Sequence, residues 1–196
     1  MRRLRTQLLA VFSLFILSAC SVFGDVSVKV APYKVIDADG AFEIRHYERL
    51  ILVSTNMLDG MDSASAPFYK LFGYISGKNA KTEEIAMTAP VFMDQAGQTT
   101  EAMSFVLPED FSLATAPSPS DSTVTLTELN DYTVAVISFT GFLNQDSISA
   151  HRALLQNWIA DRGLKITGEA KAAGYNPPFT LPFLRRNEIV IPVKKT

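Results

Sequence analysis

Imidazole and thiol side chains are scarce in this sequence of 196 residues: there are two histidines and one cysteine. His46 sits in the alternating run Phe42-Glu43-Ile44-Arg45-His46-Tyr47, on the face it shares with Phe42 and Ile44. Alternation points that face inward or towards a cleft. His151 lies between Ile148 and Leu155, at the edge of a helical apolar stripe. Either imidazole could ligate a metal, and either could equally be a hydrogen-bonded histidine at a core boundary. Carboxylate chemistry has little support, because the adjacent pair Glu83-Glu84 would point apart on a strand or turn. The sequence has no Gly-x-Ser-x-Gly, no His-Glu-x-x-His and no phosphate-binding glycine loop.

Cys20 has a different use. Arg2, Arg3 and Arg5 precede an apolar run, Leu8 to Leu17, that only Ser13 interrupts. This is the pattern of a secretory signal, too short for an ordinary membrane span. It ends in Leu17-Ser18-Ala19-Cys20, which resembles a bacterial lipobox. Residues 1–19 are therefore read as a signal peptide, and Cys20 as the lipidated residue that becomes the new N-terminus. Several acyl chains there would give a stable membrane anchor. Ser21, where an Asp could stand, points by resemblance to Gram-negative lipoproteins to the outer membrane, with the domain facing the periplasm of the cell envelope. Residues 20–31 read as lipidated cysteine and tether, and residues 32–196 as one domain. Subtracting three arginines from 18 basic residues leaves 15 against 20 acidic ones, a formal −5. Such a domain repels phosphate backbones, which argues against nucleic acid as a partner.

Strands are predicted at residues 33–37 and 41–47 around the turn Asp39-Gly40, and again at 50–56. A helix follows, with Ser63 or Ser65 as cap, Pro67 in its first turn and a stripe of Phe68, Leu71, Phe72 and Ile75; Gly77 stops it. Residues 85–93 and 102–107 are the next strands, joined by a turn at 95–98. Residues 113–122, rich in Pro, Ser and Ala, read as a linker between halves. Then come strands at 124–126 and 132–139 and a second helix capped by Ser147, carrying Ile148, Leu155, Trp158 and Ile159 and ended by Gly163. Residues 165–172 and 188–193 close the chain as strands. Shifted by 84, Leu71 falls on Leu155, Tyr74 on Trp158, Ile75 on Ile159 and Val53 on Ile137. With the repeated order strand-helix-strand-strand, this predicts an α+β fold built from a duplicated unit.

Three segments carry a family resemblance that spans the domain. They are Tyr33-Lys-Val with Phe42-Glu-Ile-Arg45-His-Tyr47, then Phe72-Gly-Tyr-Ile-Ser-Gly77 through Asn79 to Met87-Thr88-Ala89-Pro90-Val91, then Gly174-Tyr-Asn-Pro-Pro-Phe-Thr180 with Arg185-Arg186-Asn187-Glu188. In this order they are similar to the SOUL/heme-binding protein family. The resemblance implies two repeated halves in a distorted antiparallel β-barrel flanked by two helices, as in effector-binding domains. It also implies binding of heme or a related tetrapyrrole in an apolar cleft, without a universal axial ligand.

A porphyrin needs an oily slot with cations at its mouth. Met57, Met61, Phe68 and Phe72 at the start of the first helix could line one, with Lys70 or Lys78 meeting a propionate. Each could instead be core or gap-filler. His46 is the candidate axial ligand, and the absence of Cys-x-x-Cys-His excludes covalent c-type attachment. Met87–Val91 reads as a structural bend around Pro90. Arg45, Arg186 and Glu188 read as a charged clasp between the first and last strands. The function expected is non-enzymatic heme carriage or sequestration by a lipid-anchored protein. Two alternatives stand beside it: an effector- or partner-binding module without heme, and a small-molecule hydrolase of the kind some relatives of the effector-binding fold are.

Overall fold

The computed structural model describes residues 28–57, 66–96 and 99–195. Its first half contains β1 (Lys29–Val30), β2 (Lys34–Asp39), β3 (Phe42–Asn56), helix α1 (Ala66–Ile75), β4 (Thr88–Ala89), β5 (Val91–Ala96) and β6 (Thr99–Val106). The second contains β7 (Val124–Phe139), helix α2 (Gln145–Asp161), β8 (Leu164–Ile166), β9 (Ala170–Gly174), a short 3-10 turn (Pro182–Leu184) and β10 (Asn187–Lys195). Six strands close an antiparallel barrel in the order β3-β6-β5-β9-β10-β7, with β7 pairing back onto β3. Each half supplies one long strand, one helix and one hairpin. The four residue pairs related by a shift of 84 fall at matching places: Leu71 and Leu155 are both fully buried, and Val53 and Ile137 lie under α1 and α2 respectively.

The two strands expected at 41–47 and 50–56 are one strand, β3. The chain slips rather than breaks: Tyr47 and Leu50 both face the barrel interior, although they are an odd three positions apart. Opposite them, Tyr132 and Leu129 do the same, and Asp131 between them has φ +49. A short polar residue tolerates that left-handed conformation better than most. The slip turns the outer face of the first stretch of β3 towards α2 and that of the second towards α1.

This arrangement corrects the expected faces of the first stretch. Arg45 and Tyr47 point inward, both 1 % exposed, while Phe42, Ile44 and His46 point out. Phe42 stacks on Trp158 of α2, ring centroids 5.2 Å apart. Where a helix covers a barrel wall, the outer face is as apolar as the inner, so alternation alone does not identify the interior.

The ends of the elements differ in detail. Asn144, not Ser147, is the N-cap of α2. Its Oδ1 accepts from Ser147 N at 2.9 Å, and Ser147 Oγ accepts from Asn144 N at 3.1 Å, a reciprocal box worth about 1 kcal/mol. Residues 113–122 are not a loose linker. Ala116 and Pro117 are buried, Tyr74 Oη donates to the Pro117 carbonyl at 2.8 Å, and Asn79 bridges to Pro119. The expected strand 85–93 is divided by Pro90, whose bond to Ala89 is cis, and the expected 165–172 strand is divided into β8 and β9. Lys29–Ala31, in the stretch read as tether, is built in: β1 pairs in parallel with β4, and Ala31 is 4 % exposed. The signal peptide, Cys20, Met61 and the predicted caps Ser63 and Ser65 lie outside the described residues.

Candidate functional site

The barrel has two unlike ends. At one, Arg45 reaches from β3 to Glu188 on β10, with Nη1 to Oε2 at 2.8 Å and Nη2 to Oε1 at 3.0 Å. Glu188 is completely buried. Oε2 also accepts from Tyr175 Oη at 2.7 Å, and Oε1 accepts from Arg186 Nη2 at 2.7 Å, Arg186 Nε at 2.9 Å and Ser138 Oγ at 3.1 Å. Burial alone would raise the Glu188 pKa, but the hydrogen bonds and charge of Arg45, then the charge of Arg186, hold it below its ordinary 4.5. Tyr33 closes the end, its ring 4.3 Å from the Arg45 guanidinium and its hydroxyl accepting from Arg186 Nη2 at 3.1 Å. A carboxylate so fully engaged has no free lone pair with which to act as a base. The sequence-predicted clasp is present, and it is a lock.

At the other end the barrel opens into a cleft of about 870 Å3. Leu52, Leu129, Pro192 and Val193 give it apolar walls, and Lys194 and Lys195 stand at its rim. Ser54 and Ser104, cross-strand neighbours on its wall, are Oγ to Oγ 2.7 Å apart, and Lys171 Nζ donates to Asp94 Oδ1 between β9 and β5. The Tyr132 hydroxyl is buried with no hydrogen-bond partner among the described residues. Burial first, and the Asp94 carboxylate second, push its pKa up, so at neutral pH it is a phenol with a proton to donate. Asp94, Asp131 and Glu169 line the cleft beside Lys171, Lys194 and Lys195, so its walls are mixed; a cleft of this size with apolar patches and lysines suits a flat apolar ligand bearing oxygen acceptors.

The sequence-predicted site residues do not converge here. His46 lies on the outer face, its Nδ1 3.1 Å from Thr133 Oγ1, so one wall residue separates it from the cleft. His151 stacks on Phe139 at 3.8 Å, with Nδ1 2.7 Å from the Ser147 carbonyl, the arrangement of a histidine at a core boundary. Phe68 and Phe72 stack on each other, centroids 6.1 Å apart; Phe68 packs onto Phe105 and Phe72 is 46 % exposed. Lys70 leaves them for the other flank of α1, where Nζ donates to Thr123 Oγ1 at 3.1 Å and Lys78 lines the same groove. Met57 is half-buried just beyond β3. The residues that sequence reasoning missed, Asp94, Tyr132 and Lys171, left a signal: Asp94 follows Phe92 on the inward face of β5, and Lys171 shares the inward face of β9 with Ala173. Their phase with core residues places both charges inside the barrel, as it does Arg45 and Glu188 at the sealed end.

Comparison with known proteins agrees with the architecture. A family model described as SOUL heme-binding protein matches residues 28–192. Heme-binding protein 2 of Mus musculus is 34 % identical over 81 % of this chain and 81 % of its own, and Heme-binding protein 1 of Mus musculus is 28 % identical over 86 % and 94 %. Among solved structures, the EcmrR C-terminal domain superposes with a TM-score of 0.55 at 15 % identity, over 84 % of this chain and 99 % of that one. A hydrolase from Listeria innocua superposes with a TM-score of 0.56 at 8 % identity, over 81 % and 94 %. At those identities the two structures speak for the fold alone.

Proposed function

Since the chain belongs to the SOUL heme-binding family, we propose that it binds heme or a related tetrapyrrole non-covalently, as cargo rather than as a catalytic cofactor, in the cleft at the open end of the barrel. The observation that carries this placement is the cleft of about 870 Å3 itself, in whose wall Tyr132 holds a buried hydroxyl that, like that of Tyr47 deeper in the barrel, has no hydrogen-bond partner among the described residues. The macrocycle would lie against Leu52, Leu129 and Pro192, with its carboxylates towards Lys194 and Lys195. Among the described residues no histidine or methionine lines the cleft, so the iron is held by the ring's burial and not by His46. The relatives' names are those of binding proteins, and the saturated Glu188 supplies no base, which together favour carriage or sequestration over turnover.

The exposed Phe72 supports a second placement, on the ridge of α1 with Phe68 and Met57. Titration of the protein with hemin separates the two. A saturable shift of the Soret band is expected, lost in Leu129→Trp and retained in Phe72→Asp, with both variants folded by circular dichroism. The reverse pattern moves the ligand to α1, and no shift in the parent protein removes heme from the proposal in favour of a different effector. The proposal extends to location: a lipid on Cys20 holds the domain in the envelope, facing the periplasm from the outer membrane. Mass spectrometry of the N-terminal peptide checks it, and an unmodified Cys20 refutes it.

A further inference from the structure

The segment between β9 and β10 is unexpectedly apolar for an exposed loop. Phe179 is 81 % exposed, Phe183 68 %, Leu184 52 % and Leu181 44 %, and Phe142 beside them is 61 % exposed. Slack does not explain this exposure, because the backbone is held. Thr180 N donates to the Pro177 carbonyl at 3.0 Å, Leu184 N to Leu181 at 2.9 Å, Gly141 N to Pro182 at 2.8 Å and Arg186 N to Asn176 Oδ1 at 2.7 Å. Arg185 Nε ties to the Thr180 carbonyl at 2.8 Å. Five large apolar side chains are thus presented to the outside by a hydrogen-bonded frame.

We propose that this loop is a membrane contact: Phe142, Phe179, Leu181, Phe183 and Leu184 enter the interface of an anionic bilayer while Arg185 and Arg186 stay at headgroup level. Three observations select a bilayer over another protein. The apolar side chains stand out singly along a loop and its neighbouring turn, each 44 % or more exposed, which suits a fluid apolar phase better than a shaped partner. Residues 174–187 hold two arginines and no acid; Arg186 is paired with the buried Glu188, and Arg185, bonded to the Thr180 and Pro178 carbonyls, is the cation left to complement anionic lipid. The described chain also enters the fold at this end: Tyr33 accepts from Arg186, and β1 lies beside β4, next to Val91, which pairs with Gly174 where the loop begins. From Cys20 to Val28 an extended chain reaches at most about 28 Å, so a lipid on Cys20 would keep this end near the surface. That last argument alone rests on the proposed anchor. The two contacts together fix orientation, with the clasp towards the membrane and the cleft facing away from it.

The test uses the full chain as produced in its membrane, reconstituted into vesicles of phosphatidylethanolamine with a minority of phosphatidylglycerol, and a Phe183→Trp variant. Trp158, on the buried face of α2, gives a constant background to subtract. Emission from position 183 is expected to shift to the blue, to lose most of its intensity to brominated lipid and to be shielded from acrylamide. Tyr69→Trp, 67 % exposed on α1, should remain open to acrylamide. Emission at position 183 that stays water-accessible overturns the proposal. So does shielding from acrylamide without quenching by brominated lipid, which would mean a second copy or another protein covers the loop. The lipid state of Cys20, read by mass spectrometry on the same sample, separates the failures. Quenching without lipid leaves the loop contact standing and removes the anchor, and lipid without quenching does the reverse.

Discussion

Each end of the barrel holds one inward-facing pair of opposite charges, and the two pairs are built for opposite purposes. Arg45 and Glu188 meet through two parallel hydrogen bonds, with side chains 2 % and 0 % exposed, and three further residues donate to the same carboxylate. Lys171 and Asp94 meet through one ammonium contact, with side chains 17 % and 34 % exposed. A planar guanidinium in a fork is costly to separate once water is gone, whereas a solvated lysine can exchange its partner for another anion with little loss. The sealed pair locks the sheet ends together, and the wet pair leaves the cleft able to accept a ligand. Charge inside a barrel is therefore not by itself the mark of a binding site; whether water reaches it is the difference between the two ends.

The largest expected effect tests the lock. Glu188→Ala strands a buried guanidinium and should lower unfolding stability by about 3–5 kcal/mol, enough to leave a fraction of the protein unfolded. Asp94→Ala should lower it by about 1 kcal/mol or less, because Lys171 regains water. Urea unfolding measures both, and equal losses would erase the distinction between the ends.

A pH series sharpens the same contrast. The folded-state pKa of Glu188 lies below its ordinary 4.5, so its stabilisation is complete above that value and is lost as the pH falls through the lowered one. Thermal unfolding of the parent protein should therefore drop steeply on the acid side of 4.5. Glu188→Gln, which keeps the shape and loses the charge, should start from a lower melting temperature and show a shallower acid limb. Its affinity for hemin should be nearly that of the parent, since the clasp lies a barrel's length from the cleft. Lost affinity in a folded Glu188→Gln protein would place the ligand at the wrong end. Conversely, Lys194→Glu with Lys195→Glu should weaken hemin binding severalfold and leave stability within about 0.5 kcal/mol, as exposed rim charges do.

The clasp was legible in the sequence and the cleft was not, for a physical reason. Arg45 and Glu188 are charges placed in apolar strands, where only mutual pairing makes burial tolerable, and Arg186 stands two residues from Glu188. The duplication, too, could be read, because Leu71 and Leu155 or Tyr74 and Trp158 do the same work under their helices. His46 does not face the barrel interior, because Phe42 and Ile44 beside it are apolar for the sake of α2; it lines a separate outer cleft with Tyr33 and Lys34. The cleft is assembled from residues of β3, β5, β6, β7, β9 and β10 that are each unremarkable in their own strands, and a one-residue slip at Asp131 decides which of them face in. No local pattern encodes a meeting of six strands.

The smallest effect is the most pointed, because its two parts have opposite signs. Tyr132 buries a hydroxyl that bonds to nothing among the described residues. An unsatisfied buried donor costs about 1–3 kcal/mol, part of which is recovered when the hydroxyl is removed, so Tyr132→Phe should be as stable as the parent protein or up to about 1 kcal/mol more stable. If the hydroxyl waits for an acceptor on the ligand, the same change should cost binding about 0.5–1.5 kcal/mol, a weakening of a few-fold to about tenfold in hemin titrations. A gain in stability with a loss of affinity identifies a donor kept for the ligand at the expense of the fold. A gain in stability with unchanged affinity would mean that the cleft ignores Tyr132, and that the orphaned hydroxyl points away from whatever the barrel mouth receives.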